Sequence, residues 1–152
     1  MKRGQASMEY ILIASLILVI FIPAIYIFFD NMEGYNNKLA ISKATRMGHE
    51  IVRTAEEVYY GGIPSKRTIK ASMPQGIRNI SSRSNWSLPY NELLFEYAKR
   101  GINESLVFVS DVNLNYTWNN NSMKQGTKTV LITANRTLIN SSYVSYVQIK
   151  IK

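Results

Sequence analysis

Three regimes of hydrophobic and polar patterning divide the chain. From Tyr10 to Phe29 there is no charged residue, and only Ser15 and Pro23 interrupt an aliphatic and aromatic run. Twenty residues of helix reach about 30 Å, the thickness of a bilayer's hydrocarbon core. Next, Ala40, Ala44, Met47, Ile51, Ala55 and Val58 recur at spacings of three and four, with Lys43, Arg46, Arg53 and Glu56 between them. That spacing predicts an amphipathic helix. Gly61-Gly62-Ile63-Pro64 supplies its stop, glycine for the C-cap and proline soon after. One helix is therefore expected from about residue 6 to 60, about 80 Å long. Pro23 lacks an N–H and crowds the preceding turn, so it should kink or locally melt the apolar half. Gly34 and Asn36-Asn37 mark a second weak spot, where the helix leaves the apolar zone.

From residue 65 onward the period changes to two. Residues 106–118 read as one strand, with Leu106, Phe108, Val112, Leu114, Tyr116 and Trp118 on one face and Asp111, Asn113 and Asn115 on the other. Residues 127–134 and 143–152 read the same way, Val147, Ile149 and Ile151 opposing Gln148, Lys150 and Lys152. Weaker strands are expected at 67–73 and 92–98. An antiparallel sheet with one polar face, laid on the amphipathic half of the helix, satisfies both patterns. The expected class is α+β: a long N-terminal helix packed against a C-terminal antiparallel β-sheet head.

Composition narrows the setting. The 152 residues amount to one domain plus an anchor. With no cysteine, neither a disulfide framework nor a thiolate metal site exists. The formal charge of +8 is spread along the chain, with Lys66-Arg67 and Lys99-Arg100 the only basic doublets after the apolar run. Such a surface suits acidic partners without being diagnostic of nucleic acid. Lys2 and Arg3 precede the apolar run while Asp30 and Glu33 follow it, so the positive-inside rule places the N-terminus in the cytoplasm and residues 30–152 outside. A secretory signal has a shorter core and a small-residue cleavage site, whereas IPA at 22–24 carries Ile where a small residue is wanted.

A basic leader, MKRG, ends in glycine just before the apolar helix, and Gln5-Ala6-Ser7-Met8-Glu9 comes directly after it. This resembles the class III signal of type IV pilins, and more specifically the archaeal pilin group whose mature N-terminus reads Q-x-S-x-E. Gln5, Ser7 and Glu9 match that pattern; Ile13 stands where one common form has Leu. The resemblance covers roughly the first thirty residues. It implies cleavage by a prepilin-type peptidase between Gly4 and Gln5. It also implies that Glu9 pairs with the new α-amine of its own chain or a neighbour as helices leave the membrane for a filament core. An unpaired buried carboxylate is costly, so such a pairing selects the assembled arrangement. Glu9 also lies in the first two turns, where the helix dipole favours negative charge. Cyclisation of Gln5 to pyroglutamate would remove the amine, leaving Glu9 to find a donor such as Ser7 of a neighbour.

The organisation expected is a leader over residues 1–4, a transmembrane and filament-core helix over 5–30, an amphipathic continuation over 31–62 and an extracellular head over 63–152. Sequons occur at Asn79, Asn85, Asn103, Asn115, Asn120, Asn135 and Asn140, where the head's composition would give about two by chance. They are read as glycosylation candidates, all outside the membrane. The single histidine, His49, reads as a solvated or packed side chain, and no catalytic or metal motif is present, so neither enzyme activity nor a cofactor is expected. The tyrosines, Trp86 and Trp118 read as core and cross-strand residues in preference to a nucleic-acid stacking platform. The leading expectation is a structural subunit of a surface filament, its partners being further copies, the peptidase, the membrane before assembly, and N-linked glycans. The alternatives are a minor pilin acting as an adhesin or DNA-capturing subunit, and a single-pass surface protein that never polymerises.

Overall fold

A computed structural model of the chain describes residues 2–84, 91–99, 102–117, 123–139 and 141–152, with the side chains of all of these but 2–7, 33, 99 and 102. The elements are α1 (Lys2–Tyr60), β1 (Lys66–Met73), β2 (Ile77–Ser84), β3 (Asn91–Lys99), β4 (Ile102–Ser110), β5 (Leu114–Thr117), β6 (Gly126–Ile139) and β7 (Ser142–Ile151). The expected α+β arrangement, a long N-terminal helix followed by a sheet-built head, is the one observed. The chain divides into two compact units, Met1–Lys38 and Leu39–Lys152. The helix is thus shared between them, its first part making up one and its last part entering the other.

In the first unit the helical backbone runs on through Pro23, so the expected local melting is absent. Proline has no N–H to give the carbonyl of Val19, and that carbonyl goes without its ordinary helical donor. Two polar side chains of this segment bond to the helix itself: Ser15 Oγ donates to the carbonyl of Leu12 at 2.9 Å, and Asn31 Nδ2 donates to that of Ile27 at 2.9 Å.

In the second unit the stripe read from the sequence is buried from Ala44 onward, and its first member, Ala40, is half-buried. Ala44, Met47, Ile51, Ala55 and Val58 join the core, and Val52 and Thr54 lie beside them. Thr54 is tolerated there because its hydroxyl donates to the carbonyl of Glu50 at 2.7 Å. The helix ends as expected: Gly61 and Gly62 donate back to the carbonyls of Glu57 and Tyr59, and Gly62 takes the left-handed conformation, φ 75°.

The head departs from a single antiparallel sheet. Four strands form one sheet in the order β1-β6-β7-β5, in which β5 runs parallel to β7; three form a second, antiparallel sheet in the order β2-β3-β4. The stretch 106–118 is accordingly not one strand. It leaves β4 at Ser110, turns through 111–113 and enters β5 in the other sheet at Leu114. The turn is held by Glu56 of the helix, whose Oε1 accepts the Asp111 N–H at 3.3 Å and the Ser110 hydroxyl at 3.5 Å. Trp118 lies outside the described residues.

The two sheets meet where β2 lies beside β5, joined by serine side chains in place of a backbone ladder. Ser84 Oγ donates to the Leu114 carbonyl at 2.6 Å and accepts the Leu114 N–H at 3.0 Å, and Ser82 Oγ accepts the Tyr116 N–H at 2.9 Å. Strands therefore succeed one another as β1-β6-β7-β5 and, across this seam, β2-β3-β4. Both outermost strands touch the helix: Arg67 of β1 pairs with Glu57, and the ring of Phe108 in β4 lies against Gly48. One core results, in which Ile51 is gathered with Phe95, Phe108, Val130, Ile132, Val147 and Ile149. Each large side chain so buried contributes roughly 1.5–3 kcal/mol of transfer free energy.

Candidate functional site

Two surfaces stand out once the core is accounted for. The first is the apolar helix. Every described side chain from Met8 to Met32 is exposed except that of Ala14, which is half-buried. Phe21 is 59 % accessible and Tyr26 74 %, in contrast with 0 % for Ile51. Among the described residues this is the one helix long and apolar enough to cross a membrane, and none of them covers its apolar span. Soluble monomers rarely expose contiguous apolar patches above a few hundred Å². Such a surface is compatible with lipid or other helices around it. Ser15 and Asn31 are self-satisfied, so neither side chain would be stranded in hydrocarbon, and of the helix backbone Pro23 leaves the Val19 carbonyl without its ordinary donor.

Gly4, Gln5 and Ser7 lie within α1, with no break in the helix between residues 2–4 and Gln5. Glu9 is helical and exposed. Among the described residues it has no ion-pair partner.

Of the sequons, Asn85, Asn120 and Asn140 lie outside the described residues. Asn103 on β4 and Asn115 on β5 are exposed, while Asn79 on β2 and Asn135 on β6 are half-buried. Asn115 sits on the polar face, between buried Leu114 and half-buried Tyr116, as its alternation implied. Asn135 is engaged: its Nδ2 donates to Gln148 Oε1 at 3.1 Å, and Gln148 Nε2 donates to Thr117 Oγ1 at 3.1 Å. The hydroxyl of the Asn115 sequon and the amide of the Asn135 sequon are thus tied through one glutamine.

His49 is exposed, with its ring edge-on against Phe108 at a centroid distance of 5.2 Å. Among the described residues no group of three His, Cys, Asp or Glu side chains is placed to hold a metal ion. Tyr97 is a phenol with a displaced titration. Its hydroxyl donates to Glu104; that bond first, then desolvation, then the negative charge of Glu104, push its pKa up.

The second surface was not foreseen from the sequence. Residues 1–38 carry Lys2, Arg3 and Lys38 against Glu9, Asp30 and Glu33, so they sum to zero and the whole +8 lies in the head. Within the head it is unevenly shared. The four-stranded sheet carries Lys66, Arg67, Lys70, Lys128, Arg136 and Lys150 and no carboxylate, whereas the three-stranded sheet balances Arg78, Arg83 and Lys99 against Glu92, Glu96 and Glu104. The signal that could have exposed this was available strand by strand. What was missing was which strands share a sheet.

Comparison with known proteins adds no relative: no family model, no curated protein and no solved structure matches the chain.

Proposed function

We propose that this chain is the structural subunit of an archaeal type IV pilus-like surface filament. A prepilin-type peptidase cuts it after Gly4, and the exposed helix then passes from lipid to the packed helical core of the filament, with the head facing the medium and carrying N-linked glycans. The observation that carries the reading is the division of labour along α1. Its later part completes the core of the head, while its earlier part is apolar all round and has no described residue to cover it. The sequence KRGQASMEY supplies the rest: a basic leader, a glycine at the cut, and a carboxylate five residues into the mature chain.

Moving such a helix from lipid into a bundle exchanges one apolar environment for another, so the hydrophobic effect contributes little. Close packing and pairing of Glu9 supply the selectivity. Identical helices meeting through unlike faces propagate a filament in place of a closed ring. The test is composition of surface filaments sheared from the source cells. This chain should be recovered in them as a principal band by peptide mass spectrometry; filaments lacking it, with the chain left in the membrane fraction, would instead identify a permanent single-pass anchor.

A further inference from the structure

Three polar side chains cross the inner face of the three-stranded sheet in one row. Register sets Ser84 of β2 opposite Asn91 of β3, and Asn91 opposite Ser110 of β4. Asn91 alternates with buried Leu93 and Phe95, and Ser110 with buried Phe108, so the amide and the hydroxyl both face the core. Side chains directly opposite on one face stand about 5 Å apart at their β-carbons. Asn91 is 5 % exposed, and its Oδ1 has no hydrogen-bond partner among the described residues. Neither neighbour in the row has a proton to spare for it. The Ser84 hydroxyl donates to the Leu114 carbonyl at 2.6 Å, and the Ser110 hydroxyl donates to Glu56 Oε1 at 3.5 Å. Buried amide oxygens are nearly always paired, so this one marks a place where a further group belongs.

Two carboxylates meet the row at Ser110. Glu56, half-buried on the helix, takes the Ser110 hydroxyl at 3.5 Å and the Asp111 N–H at 3.3 Å, both through Oε1. Both contacts are long for hydrogen bonds, so the carboxylate is loosely held. Asp111 is exposed on the same turn, directly after Ser110. Among the described residues no lysine or arginine pairs with either acid, in a chain of formal charge +8. Helix, turn and β3 thus each bring an oxygen-bearing side chain to one corner of the head: Glu56, Asp111 and Asn91. A buried water would satisfy the Asn91 oxygen, but it carries no charge and leaves two adjacent carboxylates uncompensated.

We propose that this corner binds a calcium ion, held by the carboxylates of Glu56 and Asp111, the amide oxygen of Asn91 and the hydroxyl oxygen of Ser110. The set has two acidic side chains and two neutral oxygens, with backbone carbonyls of the turn and water to complete it. Calcium accepts about six to eight such oxygens at irregular angles, whereas magnesium demands a near-ideal octahedron and keeps much of its water. Two carboxylates set the affinity in the range of extracellular modules, about 10⁻⁴–10⁻³ M. The bound ion fastens together the helix, β3 and the turn 111–113 that carries the chain from one sheet to the other. The inference rests on the head alone and does not depend on filament assembly.

The experiment uses the full chain, produced without glycosylation in a nonionic detergent micelle, stripped of metal with a chelator. Far-UV circular dichroism checks the fold and reads the thermal midpoint. Calcium chloride at about 10 mM should raise the midpoint by about 4–8 °C, saturating with a dissociation constant of about 1 mM. Magnesium chloride at the same concentration, or sodium chloride at the same ionic strength, should move it by less than about 2 °C. Asp111→Asn, a conservative change at an exposed position, should weaken calcium binding about tenfold. Asn91→Asp should lower the midpoint without metal, by burying a further charge, and bind calcium about tenfold more tightly. Glu96→Gln, on the outer face of β3, should leave the calcium response unchanged. The proposal is overturned if calcium gives no shift, if magnesium acts like calcium, or if Asp111→Asn responds like the parent. It is also overturned if Asn91→Asp folds and gains no affinity; should that variant not fold, Asp111→Asn decides alone.

Discussion

The ring of Phe108 occupies the place where a side chain on Gly48 would begin: a β-carbon built there lies 2.3 Å from two ring atoms. The same ring packs edge-on against His49 at 5.2 Å and Phe95 at 5.4 Å. The helix and β4 approach this closely only because position 48 has no side chain. Glycine inside a helix ordinarily costs about 1 kcal/mol relative to alanine, and here that cost secures the contact. Gly48→Ala should nevertheless destabilise the head, because overpacking by about 1–3 kcal/mol outweighs the gain in propensity. Thermal melting of the full chain in detergent checks this. A lower midpoint for Gly48→Ala, partly restored by adding Phe108→Leu, is the expected pattern, and a raised midpoint would show that the ring simply moves aside.

The serine seam makes a second prediction. Ser84 alone serves both backbone groups of Leu114, a residue 2 % exposed. Ser84→Ala should leave a buried N–H and carbonyl without these partners and cost roughly 1–3 kcal/mol. Ser81→Ala, on the same strand but outside the seam, should cost well under 1 kcal/mol. Equal effects in a denaturant titration would mean the seam adds nothing.

Tyr97 gives the head a defined alkaline response. Its pKa is raised in the fold above the ordinary phenol value of about 10, first through its bond to Glu104. The fold therefore favours the protonated phenol. The contribution is complete below about pH 10 and is lost as pH rises through the raised folded value. Stability followed from pH 8 to 11 should fall more steeply for the parent than for Tyr97→Phe. Superimposable curves would remove the pair from the account.

Glycan occupancy should track accessibility. Asn103 and Asn115 are exposed, whereas the Asn135 amide is already donating to Gln148. Glycopeptide mass spectrometry of the native chain should find sugar at Asn103 and Asn115 in larger share than at Asn135. Full occupancy at Asn135 with the other two bare would contradict this ordering.

Much of this architecture was written plainly in the pattern. The helical stripe from Ala44 to Val58, the helix stop at Gly61-Gly62, and the inward faces of β6 and β7 come from spacing alone, because the period of burial equals the period of the element. β2 escaped for a physical reason. Its two buried isoleucines, Ile77 and Ile80, are three apart because a bulge shifts the register between Ile77 and Asn79, and the polar residues around them, Arg78, Asn79, Ser81, Ser82, Arg83 and Ser84, carry no apolar alternation. The break at 111–113 escaped because Val112 stays buried and keeps the phase of its neighbours through the turn. Period two reports which face a side chain takes and is silent about which strand lies alongside. The separation into two sheets, the serine seam and the cationic sheet all depend on that pairing. Gly48 was a lone glycine inside a helical stripe, the one local mark of the close approach.

At the N-terminus the expectation concerns assembly. Glu9→Ala should leave membrane insertion unchanged, since the run from Tyr10 to Phe29 is untouched, and should lower filament yield at least tenfold through loss of the charge that registers one subunit on another. Electron microscopy of sheared surface material reads the outcome, and undiminished filaments in the variant would remove Glu9 from the mechanism.

The central claim is processing followed by assembly, and the mass of the mature N-terminal peptide from isolated surface material tests it most directly. The account predicts a chain that begins at Gln5, without Met1 to Gly4, either as free glutamine or lighter by one ammonia as pyroglutamate. A mature chain that retains Met1 through Gly4 would contradict it.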